Sequence, residues 1–210
     1  GNTVTVTYVP IDEINLTFDR TGTNNASVTV NVKNGNGDII PGVTATLEST
    51  SFTSLKTGSA AALSRTTNSV LAPDAGYDNE QGSTIEYTFK VEGLGTALRF
   101  NAADLDVYAL TAGGAAQSNN GDTKRPFDFD ISTGTTSAGV STVFSSTGND
   151  ICTVSDQDGG LYHMAWSMYN LPSQTSTEPL YVKVTLTKTA SKGCYAGIGS
   201  LRLYDELLYT

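Results

Sequence analysis

The sequence has few charged residues, a single histidine and no long hydrophobic run. Charged residues make up 16% of the 210, and the formal net charge is -9. An acidic surface repels phosphate backbones, so we expect no nucleic-acid partner. No apolar run approaches the ~18 residues that a membrane-spanning helix needs. We therefore also expect no transmembrane segment.

Uncharged polar residues must form most of the surface instead. Serine and threonine together make up roughly a quarter of the chain, which is far more than in an ordinary cytoplasmic domain. This composition favours an exported protein that is secreted, periplasmic or at the cell surface. The chain opens at Gly1 with a strand-like segment and no signal peptide, as expected of a mature chain whose targeting segment has been removed.

Helical periodicity is missing too, apart from one turn predicted at 60–63. Apolar and polar residues alternate with a period of two, which is typical of half-buried strands. Clear examples are 3–9, 85–91, 127–131 and 162–168. About ten to twelve short strands without helices predict an all-β fold, an antiparallel two-sheet β-sandwich of the jelly-roll kind.

The clearest strand pair is the hairpin over 180–204. Its second arm contains Gly197 and Gly199, and glycine inside a strand usually marks a bulge. One register turns Tyr195, Leu201 and Leu203 inward, and the other turns Ile198 and Tyr204 inward. A bulge at the glycines would let parts of both sets face the core.

Two stretches resemble known families. The segment SVTVNVKNGNGDIIPGVTATLES resembles the immunoglobulin-like repeats of bacterial surface adhesins. From Gly82 onward, TIEYTFKVEG, LDVYAL and GCYAGIGSLRLY resemble the galactose-binding-like, jelly-roll modules attached to bacterial glycan-degrading enzymes. We predict one domain over 1–210. The alternative is an immunoglobulin-like segment over 1–75 followed by a jelly-roll module over 76–210.

Two kinds of catalytic site lack the residues they need. The only histidine, His163, lies in the middle of a predicted strand, and there is no G-x-S-x-G motif for a serine nucleophile. Asp128 and Asp130 share one predicted strand face, where paired carboxylates either hydrolyse glycosides or simply face solvent. No cluster of further acids supports them. We therefore expect no enzymatic activity, and a hydrolase with an undetected carboxylate pair is the alternative.

Binding is the function that the remaining residues favour. Sugars are held by flat aromatic rings and by amide, carboxylate and guanidinium groups that bond their hydroxyls. The candidates are Tyr77, Asn79, Asn119, Asn120, Arg125, Trp166 and Tyr169. Trp166 shares its predicted strand face with Tyr162, Met164 and Met168, so a core position is its alternative. We expect a non-catalytic carbohydrate-binding module, or else a structural or adhesive surface domain that contacts proteins or neighbouring domains.

The acidic loop and the cysteines suggest two further features. Asp156 and Asp158 are spaced like the first ligands of a calcium loop, although aspartate and glycine also form ordinary turns. Calcium is the only cofactor the sequence suggests. Cys152 and Cys194 either form one disulfide, as in an oxidising compartment, or are two buried thiols. No second cysteine or histidine pair stands at the spacing of a zinc site.

Overall fold

The computed structural model describes residues 1–3, 11, 13–21, 27–55, 70–95, 98–110, 127–147, 152–157, 161–168, 174–175, 178–189, 191 and 195–205. All of its secondary structure is β, and this part of the chain contains no helix that could cross a membrane. The strands, in chain order, are β1 (Glu13–Thr21), β2 (Ser27–Lys33), β3 (Thr44–Thr50), β4 (Ser54–Leu55), β5 (Pro73–Ala75), β6 (Thr84–Glu92), β7 (Arg99–Phe100), β8 (Ala102–Leu110), β9 (Phe127–Gly134), β10 (Ser141–Ser145), β11 (Cys152–Gln157), β12 (Leu161–Met168), β13 (Gln174–Thr175), β14 (Leu180–Lys188) and β15 (Tyr195–Tyr204).

Eleven of these strands form one antiparallel sheet, in the order β10-β9-β14-β6-β3-β2-β1-β15-β8-β12-β11. The pairs β13-β7 and β4-β5 form two small sheets beside it. The prediction of an all-β antiparallel fold is confirmed. The division into two sheets is not confirmed, because every main strand belongs to one ladder. That ladder is thinnest between β2 and β3, where Val30 pairs with Ala45.

The sheet curls so that its inner face packs against itself. Phe18 of β1 and Phe89 of β6 are three places apart in the sheet order, yet their ring centroids lie 5.5 Å apart. In a flat sheet the same two strands would be about 14 Å apart. The hydroxyl of Tyr87 on β6 also donates a hydrogen bond to the Ala196 carbonyl of β15, at 3.1 Å. The inward residues of both halves therefore share one core.

The closing hairpin contains the predicted bulge. The register of β15 against β8 shifts between Ile198 and Ser200. Ile198 is buried before the shift, and Leu201 and Leu203 are buried after it. Tyr204 is buried as well, but it falls on the other face of the strand, opposite Glu13 of β1. The bulge thus lets residues from both alternative registers face the core.

Two glycines after β6 differ in one respect that a substitution can test. Both adopt positive φ, +88° at Gly93 and +71° at Gly95, but a Cβ on Gly93 would lie 2.0 Å from the Gly42 carbonyl oxygen. A Cβ on Gly95 would meet no atom of the described residues within 4 Å. We expect Gly95→Ala to cost about 1 kcal/mol from the left-handed backbone alone, and Gly93→Ala to cost at least about 2 kcal/mol. Urea unfolding measures both, and equal losses would contradict this contact.

Candidate functional site: the loop end of the sheet

Two connecting segments lead into β6 and β9, the strands on either side of β14, at the same end of the sheet. β6 begins at Thr84 and β9 begins at Phe127, and both strands pair with the last residues of β14. Thr187 pairs with Thr84, and Lys188 pairs with Phe127. We call the part of the sheet around Thr84, Phe127 and Lys188 the loop end. The residues before Thr84 and those before Phe127 are the two stretches that contain five of the predicted sugar-binding residues.

Lys188 joins the loop before β6 to the end of β14. It continues the inward alternation of β14 and is only 5% exposed. Its ammonium Nζ donates to the Asn79 backbone carbonyl at 2.5 Å and lies 3.4 Å from Asn79 Oδ1. Its backbone N–H donates to Ser83, and its carbonyl accepts from Gly82. The lysine stem therefore closes the core while the charged head fixes the loop.

The loop is ordered by bonds of its own. Asp78 Oδ1 accepts from the Glu80 N–H at 2.9 Å, and the Ser83 hydroxyl donates to the Glu80 carbonyl at 2.6 Å. The Gln81 amide donates to the Thr189 carbonyl at 2.9 Å, which ties the loop to the residue after β14. A loop that is already held in one conformation loses less entropy when a ligand binds.

Tyr77 and Asn79 are the two predicted sugar-binding residues whose side chains the structure describes, and this loop brings them together. Tyr77 is half-buried against the core, and Asp78, Asn79 and Glu80 are exposed. Burial, and to a lesser extent the charge of Asp74, raises the pKa of the Tyr77 hydroxyl. An aromatic ring thus shares an ordered loop with carboxylate and amide groups. This arrangement can stack on a sugar ring and bond its hydroxyls.

The other sugar-binding candidates are placed less completely. Asn119, Asn120, Arg125 and Tyr169 lie outside the described residues. Arg125 precedes Phe127 by two positions in the sequence, and Phe127 is the ladder partner of Lys188. These residues stay predictions.

Trp166 and the strand that carries it are described by their backbone. In the ladder between β12 and β8, Trp166 pairs with Leu105, which is a buried core residue. Met168, the residue before Tyr169, pairs with Ala103 near the start of β8. The loop end lies at the opposite end of β8, where the strand ends. The ladder thus places Met168, the last residue of β12, at the other end of the sheet from the loop of Tyr77 and Asn79.

The calcium and disulfide predictions stay predictions. Asp156 lies on β11 opposite Tyr162, and Asp158 lies outside the described residues. Within the described part of the chain, no three acidic, histidine or cysteine residues converge as metal ligands. Cys152 begins β11, and Cys194 lies outside the described residues.

The carboxylate pair on β9 lies where the alternation predicts. Asp128 and Asp130 are half-exposed, on the face opposite the buried Phe127, Phe129 and Ile131. Asp128 Oδ1 accepts a hydrogen bond from the Ser146 hydroxyl at 3.2 Å. In the ladder the two aspartates stand next to threonines of β14. Whether the chain has enzymatic activity stays an open prediction.

A second polar surface was missed by the sequence patterns. On the outer face of β1, β15 and β8, Arg202 donates through Nε to Glu13 and through Nη1 to Asp104 at 3.2 Å. Its guanidinium lies 3.8 Å from the ring centroid of Tyr204. Burial lowers the Arg202 pKa, but the hydrogen bonds and charges of Glu13 and Asp104 together outweigh it and raise the pKa above its ordinary value. Alternation in each strand predicts polar residues at these positions. It does not predict that three distant strands place them side by side.

Replacing Lys188 tests whether the ammonium holds the loop. We expect Lys188→Met, which keeps the apolar stem, to lower the free energy of unfolding by about 1–3 kcal/mol. It should also speed hydrogen exchange at the Gly82 and Ser83 amides, because the loop loses its charged anchor. The control is Lys183→Met on the outer face of the same strand, whose ammonium lies 4.0 Å from Glu86. Similar exchange in both variants would show that the loop is held by its other bonds.

Tyr77 also gives a pH dependence. A raised pKa means that the folded protein keeps the phenol proton at a pH where the unfolded chain loses it. The resulting stability is complete below the unfolded pKa of about 10 and is lost as the pH rises through the folded value. We expect Tyr77→Phe to lose less stability than the wild type between about pH 9 and pH 11. Urea unfolding across that range measures the difference, and parallel curves would contradict it.

No family model matches the sequence, and no curated protein does. Among solved structures, the chain is similar to the crystal structure of SpGH29, at 13% identity and a TM-score of 0.31 over 78% of this chain and 26% of that one. It is also similar to the catalytic domain of a GH87 α-1,3-glucanase in complex with tetrasaccharides, at 16% identity and a TM-score of 0.33 over 78% and 28%. A third is the isomalto-dextranase of Arthrobacter globiformis T6 complexed with panose, at 12% identity and a TM-score of 0.27 over 83% and 22%.

The chain spans less than a third of the length of each of these structures. The TM-scores are too low for a shared fold. The function proposed below therefore rests on this chain's own residues.

Proposed function

We propose that the chain is a non-catalytic, exported carbohydrate-binding module that holds a glycan at the loop end. The observation that carries the proposal is the anchoring of the loop by Lys188 on the Asn79 carbonyl, at 2.5 Å, because the same loop contains Tyr77 and exposed polar residues. We also propose that the chain has the two-sheet, jelly-roll-like fold. The thin ladder between β2 and β3 and the packing of Phe18 on Phe89 support it.

Binding would combine stacking with hydrogen bonds. The half-buried Tyr77 ring is fixed on one side by the core, so it offers a rigid apolar surface to the C–H groups of a sugar. Carboxylates of Asp78 and Glu80 accept hydrogen bonds from sugar hydroxyls, and these bonds are stronger than those between neutral groups. Arg125, with Asn119 and Asn120, would complete the site from the second segment.

The alternative is a structural or adhesive surface domain whose exposed faces contact proteins or neighbouring domains. One observation favours it. Tyr77 packs against the core and Asn79 contacts Lys188, and a loop with a purely structural role would show both contacts. Glycan binding is therefore the property that separates the two functions.

A glycan array followed by affinity electrophoresis tests the proposal. The variants are Tyr77→Ala and Arg125→Ala, and the matched control is Tyr181→Ala, a half-buried tyrosine at the far end of β14. We expect the wild type and the control to bind the same glycans and both loop-end variants to bind at least about tenfold more weakly, a loss of about 1.4 kcal/mol. Absence of binding to every glycan, or equal losses in the control, would favour the structural alternative.

A further inference from the structure

The outer face of β1, β15 and β8 carries a grid of polar side chains, which we call the polar face. In the ladder, Asn15 stands opposite Arg202, and Arg202 stands opposite Asp104. The next row contains Thr17, Ser200 and Asp106, and Tyr108 follows Asp106 on the same face of β8. These residues are neither fully buried nor fully exposed. The polar face is therefore defined by Asn15, Thr17, Ser200, Arg202, Asp104, Asp106 and Tyr108.

Tyr108 lies over a glycine on this face. A Cβ added to Gly199 would lie 2.7 Å from Tyr108 Cε2 and 3.4 Å from Asp106 Cβ. The glycine at the bulge therefore gives the tyrosine ring room to approach the sheet. Asp106 beside it accepts a hydrogen bond from the Ser200 hydroxyl at 3.0 Å. A half-exposed ring next to a carboxylate and a hydroxyl repeats the chemistry of the loop end.

Unpaired acceptors lie along the β1 edge of the polar face. Glu13 is 1% exposed, and its Oε1 has no hydrogen-bond partner among the described residues, although its other oxygen bonds Arg202. Within the same part of the chain, Asn15 Oδ1 and Thr17 Oγ1 on this strand face also lack a partner. An unmet buried acceptor costs about 1–3 kcal/mol. A ligand that brings hydrogen-bond donors would therefore be stabilised here.

Charge on this face selects the kind of ligand. Three carboxylates, Glu13, Asp104 and Asp106, lie near Arg202, and Lys33 of β2 stands opposite Asn15. The two cations offset most of the negative charge, so neither a strongly acidic nor a strongly basic ligand is favoured. Hydroxyl groups donate to the unpaired acceptors and accept from the cations. A neutral, multiply hydroxylated molecule fits both demands.

We propose that the polar face is a second binding site for a neutral glycan, independent of the loop end. The inference takes its ligand class from the proposed function. Asn15 Oδ1 and Thr17 Oγ1 are buried atoms of partly exposed side chains, so binding in this proposal requires both side chains to rotate toward the ligand, while the sugar ring stacks on Tyr108. Two sites on one chain bind a polymer with avidity, because the second contact is made at a high effective concentration.

Calorimetry with neutral oligosaccharides tests the second site. The panel is cellohexaose, maltohexaose, mannohexaose and xylohexaose, each titrated into the whole chain. The variants are Tyr108→Ala and Thr17→Val on the polar face, with Tyr77→Ala at the loop end and Tyr181→Ala as the control. We expect two sites per chain in the wild type and one in Tyr108→Ala. Thr17→Val, which keeps the side-chain shape, should weaken the same site several-fold without loss of thermal stability.

The outcomes separate this inference from the proposed function. If Tyr77→Ala removes all binding and Tyr108→Ala removes none, the second site is overturned and the loop-end function stands. If Tyr108→Ala removes all binding and Tyr77→Ala removes none, the polar face is supported and the loop end is not. If no oligosaccharide binds at any concentration tested, both proposals are overturned.

Discussion

Phe89→Ala is expected to lower the free energy of unfolding by about 3–5 kcal/mol, which is the usual cost of deleting a buried phenylalanine ring. The ring is fully buried and stacks on Phe18, with an interplanar angle of 19°. It joins strands that are three places apart in the sheet, so the cavity would open between the two packed parts of the core. A thermal melt should show a midpoint lower by about 10 °C or more.

The control for this substitution is Ile39→Ala. Ile39 is 60% exposed in the turn after β2, so its truncation should change stability by less than about 0.5 kcal/mol. A small loss in Phe89→Ala would mean that the surrounding side chains collapse into the cavity. It would contradict the close packing of β1 on β6.

Arg202→Met is expected to lower the free energy of unfolding by about 3 kcal/mol, because it leaves a buried carboxylate without its cation. The carboxylate left without its cation is Glu13, which is 1% exposed and has one oxygen with no hydrogen-bond partner in the described part of the chain. Asp104 is one-third exposed and loses less. The melting midpoint should fall by about 6–12 °C.

A double substitution separates lost charge from lost packing. In the chain that combines Glu13→Gln with Arg202→Met, the buried group is neutral, and we expect about half of the lost stability to return. The two singles and the double form a thermodynamic cycle that gives the coupling directly. A loss below about 1 kcal/mol in Arg202→Met would mean that this pair behaves like an exposed surface ion pair.

The faces of the strands follow from the sequence alone. Ile14, Leu16 and Phe18 alternate with polar residues, and all three are buried in the structure. The period of two assigns every side chain of a strand to a face once one face is covered. The same reasoning holds at β15, where glycines marked the position of the bulge.

The order of the strands in the sheet does not follow from the sequence. Arg202 bonds Glu13 across 189 positions of the chain. Nothing in either local pattern pairs these two strands. Each strand's polar residues, taken alone, are typical of a solvated face. The polar face exists because the ladder sets three such faces side by side, so it becomes visible when the register is known.

The candidate site at the loop end shows the same division. The acidic, turn-rich character of 73–82 predicts a loop, and the structure has turns over 76–83, with Pro73–Ala75 in the short strand β5. The anchoring lysine was missed, because lysine is rarely buried. One signal was present: Lys188 is two positions after Leu186, so it continues the inward alternation of β14. A charged residue that occupies the last inward position of an alternating strand can thus indicate a side chain that closes the core.

The position of β15 has a consequence for how the protein is made. It is the last of the described strands in chain order, yet it lies inside the sheet, between β1 and β8. The edge of β1 that pairs with β15 stays open until β15 has been made, and so does the edge of β8 that pairs with β15. Such distant pairings are slow to form and leave open strand edges in the meantime. Without β15, the other strands of the large sheet would form two half-sheets that no ladder joins, each with an unpaired strand edge able to pair with another chain.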